Sequence, residues 1–362
     1  MKSKTINAVI AKKINDWLNS LDDPVLVKHI KNDIIVTGGC ITSMLLNEPV
    51  NDFDIYFKTK ESLKRISEHY VRKFNENNKG RENKLGKPLK AWVLDGADVE
   101  AWKNGEKSLS DFAFDYPDIS YKSVSEWVYN EEDENKIVYS YVSGMVLNTP
   151  PDRIKIMVNS DGIAEDSDTI ADNAEYDVDT YLDALGDGDE IPAEKIEEAE
   201  DNNTKYKPVF LSSNAITLSN KIQIVVRFYG EPNVIHSNYD FVHATNYWTY
   251  QTGVVLNQRA LEAILNKELF YIGSKYPICS LIRTRKFIKR GWQINAGQYV
   301  KIAYQISELD LNNIYVLEDQ LVGVDSIYFL SFIDRLKEKQ MKDKDFTLSG
   351  SYLNSIIDKI FG

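Results

Sequence analysis

Two carboxylates, Asp52 and Asp54, stand one residue apart in the run Asn-Asp-Phe-Asp-Ile-Tyr-Phe, and a glycine pair, Gly38-Gly39, precedes them. Successive side chains of an extended chain leave opposite faces. Phe53, Ile55 and Phe57 therefore enter a core from one face, and Asp52, Asp54 and Tyr56 lie on the other. The two carboxylates are then about 6–7 Å apart along the strand. Like charges at that spacing repel. A divalent cation bridging them removes the conflict, and hard oxygen ligands suit Mg²⁺. The glycine pair lets a backbone or a phosphate approach where a Cβ would clash, and the free N–H groups of a helix start favour an anion. A phosphate cradle beside a dicarboxylate metal site is what phosphoryl or nucleotidyl transfer needs.

The elements that position these groups are short. Ile34, Ile35 and Val36 read as a buried strand, Thr37 to Gly39 as a tight turn, and Cys40 to Leu46 as the first turns of a helix. Asn47 to Asn51 turns the chain back, and Asp52 to Phe57 is the second strand.

This pattern resembles the DNA polymerase β-like nucleotidyltransferase superfamily, whose signature is an apolar strand, Gly-Gly or Gly-Ser, a spacer of about a dozen residues and an apolar-flanked Asp-x-Asp. Here the spacer, Cys40 to Asn51, is 12 residues. The likeness is closest to the head of CCA-adding enzymes and bacterial poly(A) polymerases, with Leu45, Leu46, Pro49, Asp52 and Asp54 in register. Those enzymes carry an Arg three residues after the second glycine, where this chain has Thr42. The resemblance implies an α+β fold, a mixed sheet flanked by helices with a C-terminal helical domain. It implies transfer of a nucleoside monophosphate from an NTP. Two Mg²⁺ ions, or Mn²⁺, would sit on Asp52, Asp54 and a third carboxylate from a neighbouring strand. Asp240, expected at the head of a strand over Asn238 to Trp248, is the choice for that ligand. The alternative for Asp240 is a turn or helix cap, and Asp98 and Glu100 are rival carboxylates. Gly38, Gly39 and the Cys40 backbone would cradle phosphates, with a hydroxyl contact from Thr42 or Ser43.

At 362 residues and 43% apolar content the chain holds a sizeable core and two to three domains. Two cysteines are too few for a disulfide framework, and four histidines without Cys-x-x-C give no zinc spacing. No apolar run approaches a membrane span, and the first residues carry no signal-peptide pattern. A cytoplasmic location, in a host or in a virion, is expected. The net charge of −12 is unevenly placed: residues 161–201 contribute −16, leaving +4 for the remainder. That division sets the expected domains. A nucleotidyltransferase head spans 1–158 and 205–250, an acidic insert spans 159–204, and a helical domain spans 251–362.

Further expected elements are helices at Thr5–Leu21, Lys60–Phe74, Gln258–Asn266 and Ser326–Lys339, and strands at Ala91–Leu94, Val99–Trp102, Lys136–Tyr141, Phe210–Ser219 and Ile222–Phe228. Pro277 and Gly291 bracket a helix carrying Arg283, Arg285, Lys286, Lys289 and Arg290. It resembles, loosely, the Arg-rich helix that follows the head in CCA-adding enzymes. These residues could bind RNA phosphates, so an RNA 3′ end is the expected acceptor; a solvated basic face is the plainer alternative. A protein hydroxyl, as in toxin-like members of the superfamily, is the enzymatic alternative. A non-catalytic protein on the same fold, such as a virion component, is the other. The Lys-, Asn- and Ile-rich wording is similar to that of phage-encoded members. The apolar stripe at 352–361 either packs back on the chain or docks on a partner.

Overall fold

The computed structural model describes residues 1–82, 89–107, 149–158, 206–212, 214–321, 336, 339 and 348–361. The acidic stretch at 161–201, the strand expected at 136–141 and most of the helix expected at 326–339 lie outside them.

The chain opens with α1 (Ser3–Asn19) and α2 (Pro24–Ile30), the latter started by Pro24 behind an Asp23 cap. Then come β1 (Ile34–Thr37), α3 (Gly39–Leu46), β2 (Phe53–Phe57) and α4 (Lys60–Asn77). β3 (Ala91–Asp95), α5 (Gly96–Lys103) and β4 (Ile154–Val158) form a separate antiparallel pair with its helix. β5 (Pro208–Leu211), β6 (Ala215–Leu218) and β7 (Ile222–Tyr229) return to the main sheet. A short helix, α6 (Pro232–His236), leads on to β8 (Tyr247–Thr249) and β9 (Gly253–Val255). After these the described chain is helical: α7 (Gln258–Asn266), α8 (Pro277–Lys289), α9 (Ala296–Ser307), α10 (Ile314–Leu321) and α11 (Gly350–Phe361).

The main sheet has the order β5-β6-β7-β2-β1-β8-β9. It is mixed: β1 pairs antiparallel with β2 and β8, while β2 pairs parallel with β7. Side-chain alternation divides the sheet into two faces. Ile34 and Val36, Phe53, Ile55 and Phe57, and Ile222 and Ile224 all enter one core with the inner stripes of α1 and α4. Trp17 Nε1 donates to the Tyr70 hydroxyl at 2.7 Å, tying those two helices together inside that core. Ile35 and Tyr56 face the other way, into a smaller cluster with Ile235. The carboxylate of Asp54 lies on this second face, as the period-two pattern requires.

Three sequence expectations differ from the fold. Residues Val99 to Trp102 are helical, because Asp95 accepts from the Ala97 N–H and caps α5. Gly96 opens that helix against the Pro150 carbonyl, where a Cβ would stand 1.7 Å away. Asn238 to Trp248 is not one strand: an isolated bridge joins Phe241 to Tyr271, Val242–Ala244 is a 3-10 turn, and only Tyr247 onward joins the sheet. Phe210 to Ser219 is a hairpin rather than one strand, with β5 folding back on β6. The terminal stripe packs back on the chain, since Ile356 is buried with Ile314, Leu317 and Leu336. Among the described residues no helix is long and apolar enough to cross a membrane.

Candidate active site

The second face of the sheet is the floor of a cleft. β1 and β2 pair so that Thr37 lies opposite Asp54, and the chain leaving Thr37 must turn at once to start α3. Gly38 makes that turn with φ 91° and ψ −149°, a conformation nearly closed to residues with a Cβ. A Cβ on Gly38 would also lie 2.6 Å from Asp54 Oδ2, whereas Gly39 faces open space. The glycine backbone and the carboxylate are thus pressed together. The Gly38 N–H is held by the Ala244 carbonyl at 3.2 Å. No side chain caps α3, so its first N–H groups keep their preference for an anion.

Hydrogen bonds fix this corner. The Thr37 hydroxyl donates to the Asn246 carbonyl at 2.8 Å and stands 2.8 Å from His236 Nε2. Burial holds the His236 imidazole down to about 4, so it is neutral at pH 7, and the network assigns the Nε2 proton as donor to Thr37. Thr42 Oγ1 donates to the His243 carbonyl at 2.8 Å, which ties α3 to the 3-10 turn. The thiol of Cys40 is buried. Burial first, then the charges of Asp54 and Asp52, pushes it well up. It is therefore a protonated packing group, and Cys40 is not among the residues that line the cleft.

β7 supplies the next row. Its parallel pairing with β2 puts Gln223 directly opposite Asp54, and Val225 and Arg227 follow on the same face. Over this floor lies α8. Arg283 and Arg290, together with Tyr276 just before the helix and Trp292 just after it, line the same cleft as Gly38, Ser43 and Asp54. The Asp240 carboxylate also lines it, and accepts from Arg283 Nη1 at 2.9 Å.

The cleft therefore gathers Gly38, Gly39, Thr42, Ser43, Asp54, Asp240, Arg283 and Arg290 from four separate stretches of chain. Asp52 stands one residue before β2 and is partly exposed. The other basic residues of α8 lie differently. Lys286 is 9% exposed, Arg285 is half-buried, and Lys289 is exposed. Asp98 and Glu100 are on α5, where Asp98 pairs with Lys64 at 3.8 Å and Glu100 with Lys103 at 4.0 Å; neither lines the cleft.

Sequence reasoning missed Gln223 and Tyr276. Gln223 is the first outward residue of the alternation Ile-Gln-Ile-Val-Val-Arg-Phe, so its face was legible and only its opposition to Asp54 was not. Tyr276 gave no signal beyond being an aromatic before Pro277.

Among the described residues no group of three or more His, Cys, Asp or Glu converges on one metal position. Mg²⁺ does not need one: it is usually held by one or two carboxylates together with substrate phosphates and water. Asp54 and the amide oxygen of Gln223, opposite it across the β2–β7 pairing, are oxygen donors of that kind in the cleft; Asp52, one residue before β2, is not among the residues that line it.

A profile of the family described as "Gabija anti-defense 2 family protein" matches residues 8–267, well over half of the 362. The chain belongs to the Gabija anti-defense 2 family. The matched span runs from α1 to the end of α7 and contains Gly38, Asp52, Asp54, Gln223 and Asp240, while α8 lies beyond it. A curated relative named Gabija anti-defense 2, from Bacillus phage SPbetaL7, is 26% identical over 143 residues, 39% of this chain and 33% of the relative. The match thus covers about a third of that relative's length. Its phage source is in line with the phage-like wording of the sequence. No solved structure matches the chain.

Proposed function

We propose that the chain is a divalent-metal-dependent nucleotidyltransferase. It would move a nucleoside monophosphate from an NTP onto an acceptor hydroxyl, and by that transfer oppose the Gabija defence. The observation that carries this reading is the contact at Gly38. A glycine-only turn packs against the Asp54 carboxylate at the start of an uncapped helix, and it does so inside a cleft lined by arginines. A turn built only to connect β1 to α3 has no need to abut a carboxylate. The strand order around it also supports a polymerase β-like fold: Asp54 is on a central strand, with a glycine turn on one side and a parallel strand on the other.

The chain's own groups take the following roles. The backbone of Gly38, Gly39 and Cys40 holds phosphate oxygens, with Ser43 beside them. Thr42 positions the turn, since its hydroxyl is already on His243. Asp52 and Asp54 would hold Mg²⁺, and Gln223 stands opposite Asp54 as a neutral oxygen donor. Mg²⁺ held there would neutralise charge on the triphosphate and on the leaving pyrophosphate and lower the pKa of the incoming hydroxyl. Arg283 and Arg290 add positive charge where the phosphates lie. A triphosphate that takes over Arg283 would free the Asp240 carboxylate, which already lines the cleft, for the third-carboxylate role that the superfamily pattern expects. In the transfer, the acceptor hydroxyl gives up its proton to solvent, its oxygen bonds to the α-phosphorus, the bond from that phosphorus to the bridging oxygen breaks, and pyrophosphate leaves with the electron pair of that bond.

The acceptor is a component of the Gabija defence, with a polypeptide hydroxyl as the first reading. An RNA 3′ end is the second, favoured by the exposed Lys289 and Arg290 at the end of α8. With Lys286 buried and Arg283 on Asp240, that patch is short for a strand of RNA, whose binding grooves track several phosphates.

The test is protection of cells carrying Gabija by the wild-type chain and by Asp54→Asn at equal protein levels. Loss of protection in Asp54→Asn is expected. Full protection by that variant would instead make the chain a non-catalytic binder.

A further inference from the structure

Tyr276 is out of place as a purely structural tyrosine. Its side chain is 5% exposed, yet its hydroxyl meets no hydrogen-bond partner among the described residues. A buried phenol without a partner is costly, and buried tyrosines ordinarily find one. Phenylalanine would fill the same volume without that cost. The residue nevertheless lines the cleft. Its ring is held by Arg227, whose guanidinium carbon lies 3.5 Å from the ring centroid. The hydroxyl is therefore fixed in place with no polar group to bond among the described residues.

Its position along the floor says what it meets. Gln223 lies opposite Asp54, and from Gln223 to Arg227 the strand advances about 13 Å. Moving that way along β7 leads away from Gly38, because β1 ends at the Asp54 end of β2. Phosphates seated at the glycine turn and Asp54 leave the other end of an NTP, its nucleoside, lying toward Arg227 and Tyr276. A phenol there is both donor and acceptor.

Resting on the nucleotidyltransferase reading, we infer that Tyr276 is the nucleoside-reading residue of the cleft: its hydroxyl, positioned by Arg227, completes a hydrogen bond to the nucleoside of the bound NTP. A site built to bond a polar group discriminates against ligands that lack it, since the buried hydroxyl is then left unpaired. The cleft should thus prefer one nucleotide over the others through Tyr276.

Calorimetry with the full chain in Mg²⁺ tests this, using α,β-methylene analogues of ATP, GTP, CTP and UTP, and inorganic tripolyphosphate as the nucleoside-free probe. Tyr276→Phe should weaken the preferred analogue roughly tenfold or more, the cost of one lost hydrogen bond. It should flatten the preference among the four and leave tripolyphosphate binding unchanged. Its thermal midpoint without ligand should be equal to or above wild type. Tyr276→Phe that binds every analogue as wild type does would overturn the inference while leaving the nucleotidyltransferase reading intact. So would a lowered thermal midpoint, or an equal loss for tripolyphosphate, either of which would mark a structural hydroxyl. Wild-type protein that binds tripolyphosphate and no analogue would overturn both.

Discussion

Gly38→Ala is the substitution that probes the candidate site most narrowly. The new methyl meets two obstacles. The first is backbone: at φ 91° and ψ −149° an alanine is strained by about 1–3 kcal/mol. The second is contact. The Cβ would lie 2.6 Å from Asp54 Oδ2, and ordinary contact begins at 3.4 Å, so the carboxylate must retreat by about 0.8 Å. A displacement near 1 Å at a reacting centre costs on the order of 100-fold in rate. Gly39→Ala is the control, since nothing lies within 4 Å of its Cβ and it stands in the first turn of α3. There alanine should be neutral, or stabilising by up to about 1 kcal/mol. Denaturant unfolding of both variants, and of Gly38→Ala combined with Asp54→Ala, separates the two costs. With Asp54 truncated the contact disappears and only backbone strain remains, so the double variant should be more stable than additivity predicts. Additive losses, or equal behaviour of Gly38→Ala and Gly39→Ala, would refute the claim that Gly38 is a glycine because of Asp54.

Three further outcomes are expected. Arg283→Ala should destabilise the fold by about 1–3 kcal/mol, because it leaves the Asp240 carboxylate, 15% exposed, without its charged donor; Asp240→Ala/Arg283→Ala should recover part of that loss, as read by thermal unfolding. Asp54→Asn should abolish Mn²⁺ binding detected by electron paramagnetic resonance in the presence of tripolyphosphate, with the fold retained by circular dichroism. Acid should destabilise the protein through two histidines. His69 is held down to about 4 by burial and then by Lys73, and His236 is held down to about 4 by burial. Both stay neutral in the fold while the unfolded chain takes up protons near pH 6.5, so stability is full above that pH and falls as pH drops from about 6.5 to about 4. The loss is on the order of 3 kcal/mol for the fully buried His69 and less for the half-buried His236; His69→Gln should flatten the pH profile in that window.

Much of this site was legible from local order. The alternation around Asp54, the glycine turn and the helix after it need only a few residues of context, and all three stand in the fold where the sequence places them. The limits appear where pairing is non-local. Gln223 comes beside Asp54 through a parallel pairing of strands far apart in the chain, and parallel register leaves no mark in either strand's own pattern. Asp240 was expected on a strand because Tyr239 and Phe241 flank it. The fold instead bends there, since its carboxylate goes to Arg283 and Phe241 N–H stands 3.1 Å from Asp240 Oδ1. Val99 to Ala101 alternates like a strand, and the Asp95-Gly96 cap overrode that alternation. The basic run of α8 was visible as composition, but which of its charges face the cleft depended on the apolar contacts of Ile278 and Ile282 with α10 and α11.

The most direct measurement is transfer of label from each NTP carrying ³²P at the α or the γ position, with Mg²⁺ or Mn²⁺ and an extract of cells bearing Gabija. Wild-type protein should move α-label, but never γ-label, onto a macromolecule, with the label's sensitivity to protease or ribonuclease naming the acceptor. Asp52→Ala/Asp54→Ala should fall on the order of a thousandfold or more. Transfer of γ-label, equal transfer by the double variant, or no transfer by folded wild-type protein would each contradict nucleotidyl transfer at this cleft.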